Sequence, residues 1–277
     1  MGMNKYDLGI CQGRLTIPPN NELQWFPDGK WELEFSLASD LGFSYIELLA
    51  ERAHNKKNPL WTVEGRKKIL NVAKLANLNI YSACLDYIID HSIIKQEGIN
   101  NDVLLYTKKF IDVCEEIGIN LIVIPLLEKS ELTKRTLPIL KVYLEYLSSY
   151  ISKKEINISI ESLANPELIK KILSAKISTK IGCVYDTGNR LLLSQNMSEE
   201  IEDLGKLINH IHLKDRDKEQ RNVIIGTGIV DFLSIFKSIK RINYLGKYSF
   251  ESNRGLNPFR TAAHNISYIN FIREEAY

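Results

Sequence analysis

The chain lacks a basic field. Its 36 Lys and Arg face 34 Asp and Glu, a net charge of +2 over 277 residues, which argues against a dedicated nucleic-acid binder. It is also poor in cysteine: Cys11, Cys84, Cys114 and Cys183 show no CxxC pairing and read as small buried hydrophobes of a reducing compartment. No apolar run approaches the roughly 18 residues that span a bilayer. The opening MGMNKYDLGI has neither a signal-peptide core nor the Ser or Thr of a myristoylation signal. Together these absences predict a cytoplasmic protein with no membrane or nucleic-acid partner. No Gly-rich phosphate fingerprint follows the first apolar run, against a dinucleotide-binding fold, and Gly226-Thr227-Gly228 reads as a tight turn. With no Pro/Ser-rich linker and no low-complexity tract, residues 1–277 are expected to form one domain.

What is present is an alternation of two textures. Short runs rich in Ile, Val and Tyr read as buried strands: DLGICQ, YIELLA, NIYSACL, NLIVIPL, INISIE, KIGCVYD, HIHLKD and KYSFES. Between them apolar residues recur at helical spacing. Trp31, Phe35, Ala38 and Leu41 make one stripe stopped by Gly42, and Leu104, Thr107, Ile111, Cys114 and Ile117 make another closed by Gly118. Further helices are expected over 62–76, 136–152, 166–174, 198–207, 229–239 and 258–274, with Asn165-Pro166 as an N-cap and first-turn proline. A closed α/β barrel takes about 250 residues, so eight strand–helix repeats in this length predict a single (β/α)8 TIM barrel rather than an open sheet. The segment Gly13–Lys30 is long for a connection and follows strand 1 on the side where barrel active sites are built.

Strand side chains alternate between faces. In INISIE the isoleucines share one face and Asn157, Ser159 and Glu161 the other; in KYSFE, Lys247, Ser249 and Glu251 oppose Tyr248 and Phe250. The same parity puts Asp186 at the end of its row and His210, His212 and Lys214 on one face. The last inward positions of strands 5 to 8 are then Glu161, Asp186, His212 and Glu251. Three carboxylates crowded together repel one another unless a cation neutralises them. With one imidazole they suit a single hard or borderline divalent ion: Mn²⁺, Mg²⁺, Co²⁺ or Zn²⁺. His210 is expected one layer deeper, core-satisfied, and Lys214 at the rim nearer a substrate.

The series IES, VYDTGN, HIHLKDR, the GTG turn and SFES, with the opening GICQGRL…WFPDGKWELEFSLASDLGFSYIEL, resembles the xylose isomerase-like barrel superfamily from about residue 7 to 275. That group holds sugar and sugar-phosphate isomerases and epimerases, inosose dehydratases and endonuclease IV repair enzymes. The resemblance implies a metal-dependent isomerase or epimerase of a sugar or sugar phosphate. Proton transfer would pass through a metal-stabilised enediolate, with the glutamates matching Glu161 and Glu251 as the acid/base pair. Two positions depart from the ketose epimerases: Asn189 stands where they carry a substrate-contacting His, and Lys218 where they carry an Arg. Glu167 matches a further substrate-contacting glutamate and equally suits a first helical turn.

Other candidates carry two readings each. Arg14, beside Gln12 and Gly13, suits a substrate phosphate or carboxylate, or a salt bridge at the rim. Glu47 is a candidate polar contact to the sugar and Arg254 to an anionic substrate group. Trp25 and Phe26 would wall the substrate or pack the long loop; KDRDKEQR, 214–221, reads as a solvated loop or a lid. His54 and His91 are expected in solvated loops and His264 in a surface or structural role. A polyol-ketone dehydratase would use the same four ligands. An endonuclease IV-type nuclease needs histidines this five-histidine chain lacks, and a non-catalytic sugar-binding barrel is disfavoured by the intact quartet. A homo-oligomer is compatible with all of these.

Overall fold

In the computed structural model, residues 8–276 are described apart from 21, 97, 175, 176 and 195. The apolar runs form strands β1 (Leu8–Cys11), β2 (Tyr45–Ala50), β3 (Asn79–Leu85), β4 (Leu121–Leu126), β5 (Asn157–Ser162), β6 (Ile181–Asp186), β7 (Ile208–Leu213) and β8 (Lys247–Phe250). The main helices are α1 (Trp31–Asp40), α2 (Val63–Leu75), α3 (Asn101–Glu116), α4 (Leu137–Tyr150), α5 (Pro166–Ile172), α6 (Met197–Leu204), α7 (Phe232–Arg241) and α8 (Pro258–Ala276). The sheet closes in the order β1-β8-β7-β6-β5-β4-β3-β2, a single TIM barrel. Strand β8 pairs in parallel with both β1 and β7, Ser249 lying opposite Gly9 and His212.

Local chemistry explains the boundaries. The Asn165 side chain accepts from Leu168 N at 2.9 Å, and Pro166 fills the first turn of α5, where no N–H is needed. Asp231 caps α7 by accepting from Ser234 N and Oγ at 3.0 and 2.7 Å. Three expectations shift. HIHLKD is strand only through Leu213 and begins two residues earlier, at Ile208. Strand β8 ends at Phe250, so Glu251 sits just past the sheet, although its N–H still donates to Leu213 O at 3.1 Å. Two-residue ribbons, Ile94–Lys95 with Gly98–Ile99 and Asp215–Arg216 with Asn222–Val223, are too short to leave a periodic signal.

The chain divides into two compact units, 1–46 with 73–79 and 185–277, and 47–72 with 80–184. In the second, Leu49, Cys84, Val123 and Val184 form a buried apolar cluster. Burying each of the Leu and Val side chains contributes about 1.5–3 kcal/mol. In the first, a buried polar group forms: Ser249 Oγ meets the Tyr45 hydroxyl at 3.0 Å and His210 Nε2 at 3.1 Å. His210 is fully buried and set edge-on to His212, the ring centroids 5.1 Å apart. All four cysteines are buried and none is in a disulfide.

Candidate metal centre

Asp186 ends β6 and turns the chain. Its Oδ1 accepts from Asn189 N at 2.6 Å, capping the short helical turn Thr187–Leu191. Only Oδ2 is then left to face the site, and the Lys214 Nζ stands 3.0 Å from it. The same ammonium lies 2.9 Å from Glu251 Oε2, and His212 Nδ1 is 3.3 Å from that oxygen. The other Glu251 oxygen, Oε1, accepts from Arg14 Nη2 and Gln24 Nε2, both at 3.0 Å. Asp186, His212, Lys214 and Glu251 are each at most 5% exposed.

The electrostatics follow from burial set against neighbours. Burial raises the Asp186 carboxyl above the ordinary aspartate range, although Lys214 pulls it back. Burial also pushes Glu251 upward, but Lys214, the His212 hydrogen bond and Arg14 outweigh it, leaving that carboxyl well below its ordinary value. Glu161 is buried at the end of β5. One ligand atom from each of Glu161, Asp186, His212 and Glu251 lies within 4.8 Å of the others. Three carboxyl groups and an imidazole converge here, with Lys214 and Arg14 as the neighbouring cations. That donor set fits a divalent cation. Ligand atoms of Cys11, Glu47 and His212 also lie within 4.8 Å of one another, sharing the histidine.

Several candidates take places other than those expected. Lys214 is not at the rim: its ammonium lies among the carboxylates, and its backbone exchanges hydrogen bonds with Thr187 Oγ1 at 2.6 and 2.9 Å. Gly188 permits this approach, because a Cβ there would fall 2.6 Å from Lys214 Cγ. Arg14 is buried against Glu251, Gln24 and the Ser252 carbonyl, so the salt-bridge reading holds, though in the interior. Arg254 spends its guanidinium on the carbonyls of Gly13, Glu22 and Leu23 at 2.6–2.8 Å, and burial with Arg14 nearby lowers its pKa to about 10. These three bonds make it a clamp on the long loop. Lys218 is exposed at the ribbon turn, while Arg216 Nη2 reaches Asn189 Oδ1 at 2.8 Å. The nearby cation is therefore Arg216. Glu47 is buried and accepts from Ser82 Oγ at 2.7 Å.

Trp25 donates to Gly13 O at 3.2 Å and Phe26 is buried, so both pack the loop down. The 214–221 run forms a ribbon turn closed by Arg221 on Asp217. His54, though exposed, meets the Tyr106 hydroxyl at 2.9 Å; His91 stacks on Tyr87 at 3.8 Å, and His264 lies 3.2 Å from Ile225 O. Glu167 is exposed and pairs with Lys171 one turn on.

Sequence reasoning missed three anchors. Gln24 bridges Arg14 and Glu251. Buried Glu34 accepts from Gly13 N, Leu15 N and Thr16 Oγ1, and burial raises its pKa. Asp215 accepts from the N–H groups of Arg216, Gly226, Gly228 and Val230, which gives the GTG turn its partner. A Glu inside a helical apolar stripe was the visible hint for Glu34; Gln24 left none, lying in a loop without periodicity.

The fold and the gathered side chains define a (β/α)8 barrel with a candidate divalent-metal centre where β5 to β8 end. The chain belongs to the xylose isomerase-like TIM barrel family, whose profile matches residues 35–272. A putative L-ribulose-5-phosphate 3-epimerase of Haemophilus influenzae, SgbU, is 26% identical over 270 residues, covering 90% of this chain and 89% of the relative. Among solved structures, a D-psicose 3-epimerase with D-tagatose from Clostridium cellulolyticum superposes with a TM-score of 0.77 at 11% identity, covering 96% of this chain and 99% of that one. The IOLI protein with a zinc atom gives 0.75 at 17% identity, covering 98% and 99%. Among the described residues no helix is long and apolar enough to cross a membrane.

Proposed function

We propose that the protein is a divalent-metal-dependent epimerase acting on a ketose or ketose phosphate. The observation that carries the reading is the buried group of Glu161, Asp186, His212 and Glu251, in which two glutamates serve as both candidate ligands and candidate acid/base groups. The 3-epimerase described for the relative SgbU supports the reaction class. Glu161, Asp186, His212 and Glu251 would hold the ion, which when bound supplies positive charge against the oxygen that becomes anionic as the adjacent carbon loses its proton. One glutamate takes that proton and the other returns one; return to the opposite face of the same carbon inverts it. Lys214 stands beside both Asp186 and Glu251 and adds a second positive charge to the site. Asn189 and Arg216, joined by their hydrogen bond, are the polar pair offered to the sugar.

The test is proton exchange in D₂O. Protein loaded with Mn²⁺ is incubated with L-ribulose 5-phosphate or D-psicose and followed by NMR. Deuterium at C3 with appearance of the epimer is expected, and Glu161→Gln and Glu251→Gln should each lower the exchange rate by about 10²–10⁴-fold. No exchange with any ketose, phosphorylated or not, would sink the epimerase reading. Exchange accompanied by loss of water would move it to a dehydratase.

A further inference from the structure

A carboxylate at the end of a glutamate side chain turns about a torsion with two broad, equivalent wells, so one ion pair does not decide which oxygen faces inward. Two donors on the same oxygen do. Glu251 Oε1 receives Arg14 Nη2 and Gln24 Nε2, each at 3.0 Å, while Oε2 faces His212 and Lys214. Gln24 is itself oriented. Its Oε1 must accept from Arg14 Nη2 at 2.7 Å, so its NH₂ has to point at Glu251.

The loop presenting Gln24 is built as a bracket. Arg254 binds the carbonyls of Gly13, Glu22 and Leu23. Glu34 binds the opposite side through Gly13 N, Leu15 N and Thr16 Oγ1. Gly13, at φ +84°, lies so close to Trp25 that a Cβ there would sit 2.3 Å from the Trp25 carbonyl oxygen. None of these bonds serves a helix or strand; together they hold residues 22–25 against Glu251.

We propose that Gln24 is a positioning residue for Glu251: together with Arg14 it reserves Oε1 for the loop and presents Oε2 alone to the metal centre. The inference rests on the proposed function for the role of Glu251 but not for its geometry. Losing a hydrogen-bond partner behind a metal ligand typically weakens metal binding by about 10–100-fold.

The test uses the full-length chain with Gln24→Leu and the near-isosteric Gln24→Met. Gln24 is only half-buried, so both should fold, with little change in melting temperature. Mn²⁺ binding to metal-free protein is measured by calorimetry, and crystal structures of the wild type and both variants are compared. The expected result is a dissociation constant raised by at least about 10-fold, with the Glu251 carboxylate rotated or split between two rotamers. Wild-type affinity within twofold and an unmoved Glu251 would overturn the proposal. If the wild type binds no Mn²⁺, the metal reading fails instead. The Glu251 rotamer in the variants then still decides this one: rotated supports it, unmoved overturns it.

Discussion

Replacing Lys214 by methionine keeps most of its length and apolar stem but removes a cation that touches two buried carboxylates at 3.0 and 2.9 Å. At an effective dielectric of about 20, each contact corresponds to roughly 5 kcal/mol before the cost of burying the ammonium is subtracted. Breaking a buried pair by removing one partner typically costs about 3–5 kcal/mol, and that net figure is the one to use. Unfolding entropy of about 2.1 cal/mol/K per residue gives roughly 0.6 kcal/mol/K for this chain. Metal-free Lys214→Met should then melt about 5–9 °C below wild type at pH 8. The deficit should depend on pH. Without Lys214 the Asp186 and Glu251 carboxyls both rise; a carboxyl whose pKa is higher folded than unfolded favours folding when protonated and opposes it once pH exceeds that value. The loss is therefore larger at pH 8 than at pH 5. Saturating Mn²⁺ restores a cation and should shrink the gap. Calorimetric melts at both pH values, with EDTA and with Mn²⁺, check all three points. A metal-free variant melting within 1 °C of wild type at pH 8, or a gap unaltered by Mn²⁺, would refute the reasoning.

Three further outcomes are expected. In wild-type protein, Mn²⁺ at about 100 times its dissociation constant should add about 2.7 kcal/mol, or 4–5 °C, over the EDTA-treated sample, and Asp186→Asn should abolish that gain in a thermal-shift titration. Asp215→Ala leaves four N–H groups without their acceptor, at roughly 1 kcal/mol net each; chemical denaturation should show a loss near 4 kcal/mol, with faster hydrogen exchange at 226–230. Arg254→Met removes the clamp on Gly13, Glu22 and Leu23, so limited proteolysis should cut within 20–25 at a higher rate while far-UV circular dichroism stays unchanged.

The barrel was legible because its strands are nearly continuous apolar runs and its helices carry regular stripes, so period and count were enough. The gathering of Glu161, Asp186, His212 and Glu251 was legible because parity holds through the ends of these strands and, at Glu251, one residue past the sheet. Lys214 was misplaced by that same rule. Parity gave its face correctly, but the strand ends at Leu213, and beyond it a long side chain folds back toward the nearest buried carboxylates. Sequence shows the charge of Arg14 and Arg254 without showing what it meets, the Glu251 carboxylate for one and three loop carbonyls for the other. Gln24 and Asp215 act through loop geometry, which no spacing encodes. His210 was placed one layer down because each neighbouring strand offered only one ligand, and its hydrogen-bonding distance to Ser249 places it there.

The turn after β6 separates two tasks within three residues. Asp186 caps the turn by accepting from the main-chain N–H of residue 189, not from its side chain. The side chain at 189 can therefore be exchanged, asparagine here and histidine in the ketose epimerases this chain resembles, without releasing the aspartate. Under the proposed function, in which Asn189 meets the sugar, such a position lets recognition change while the residues that gather charge stay as they are, and it is where substrate preference should be redesigned first.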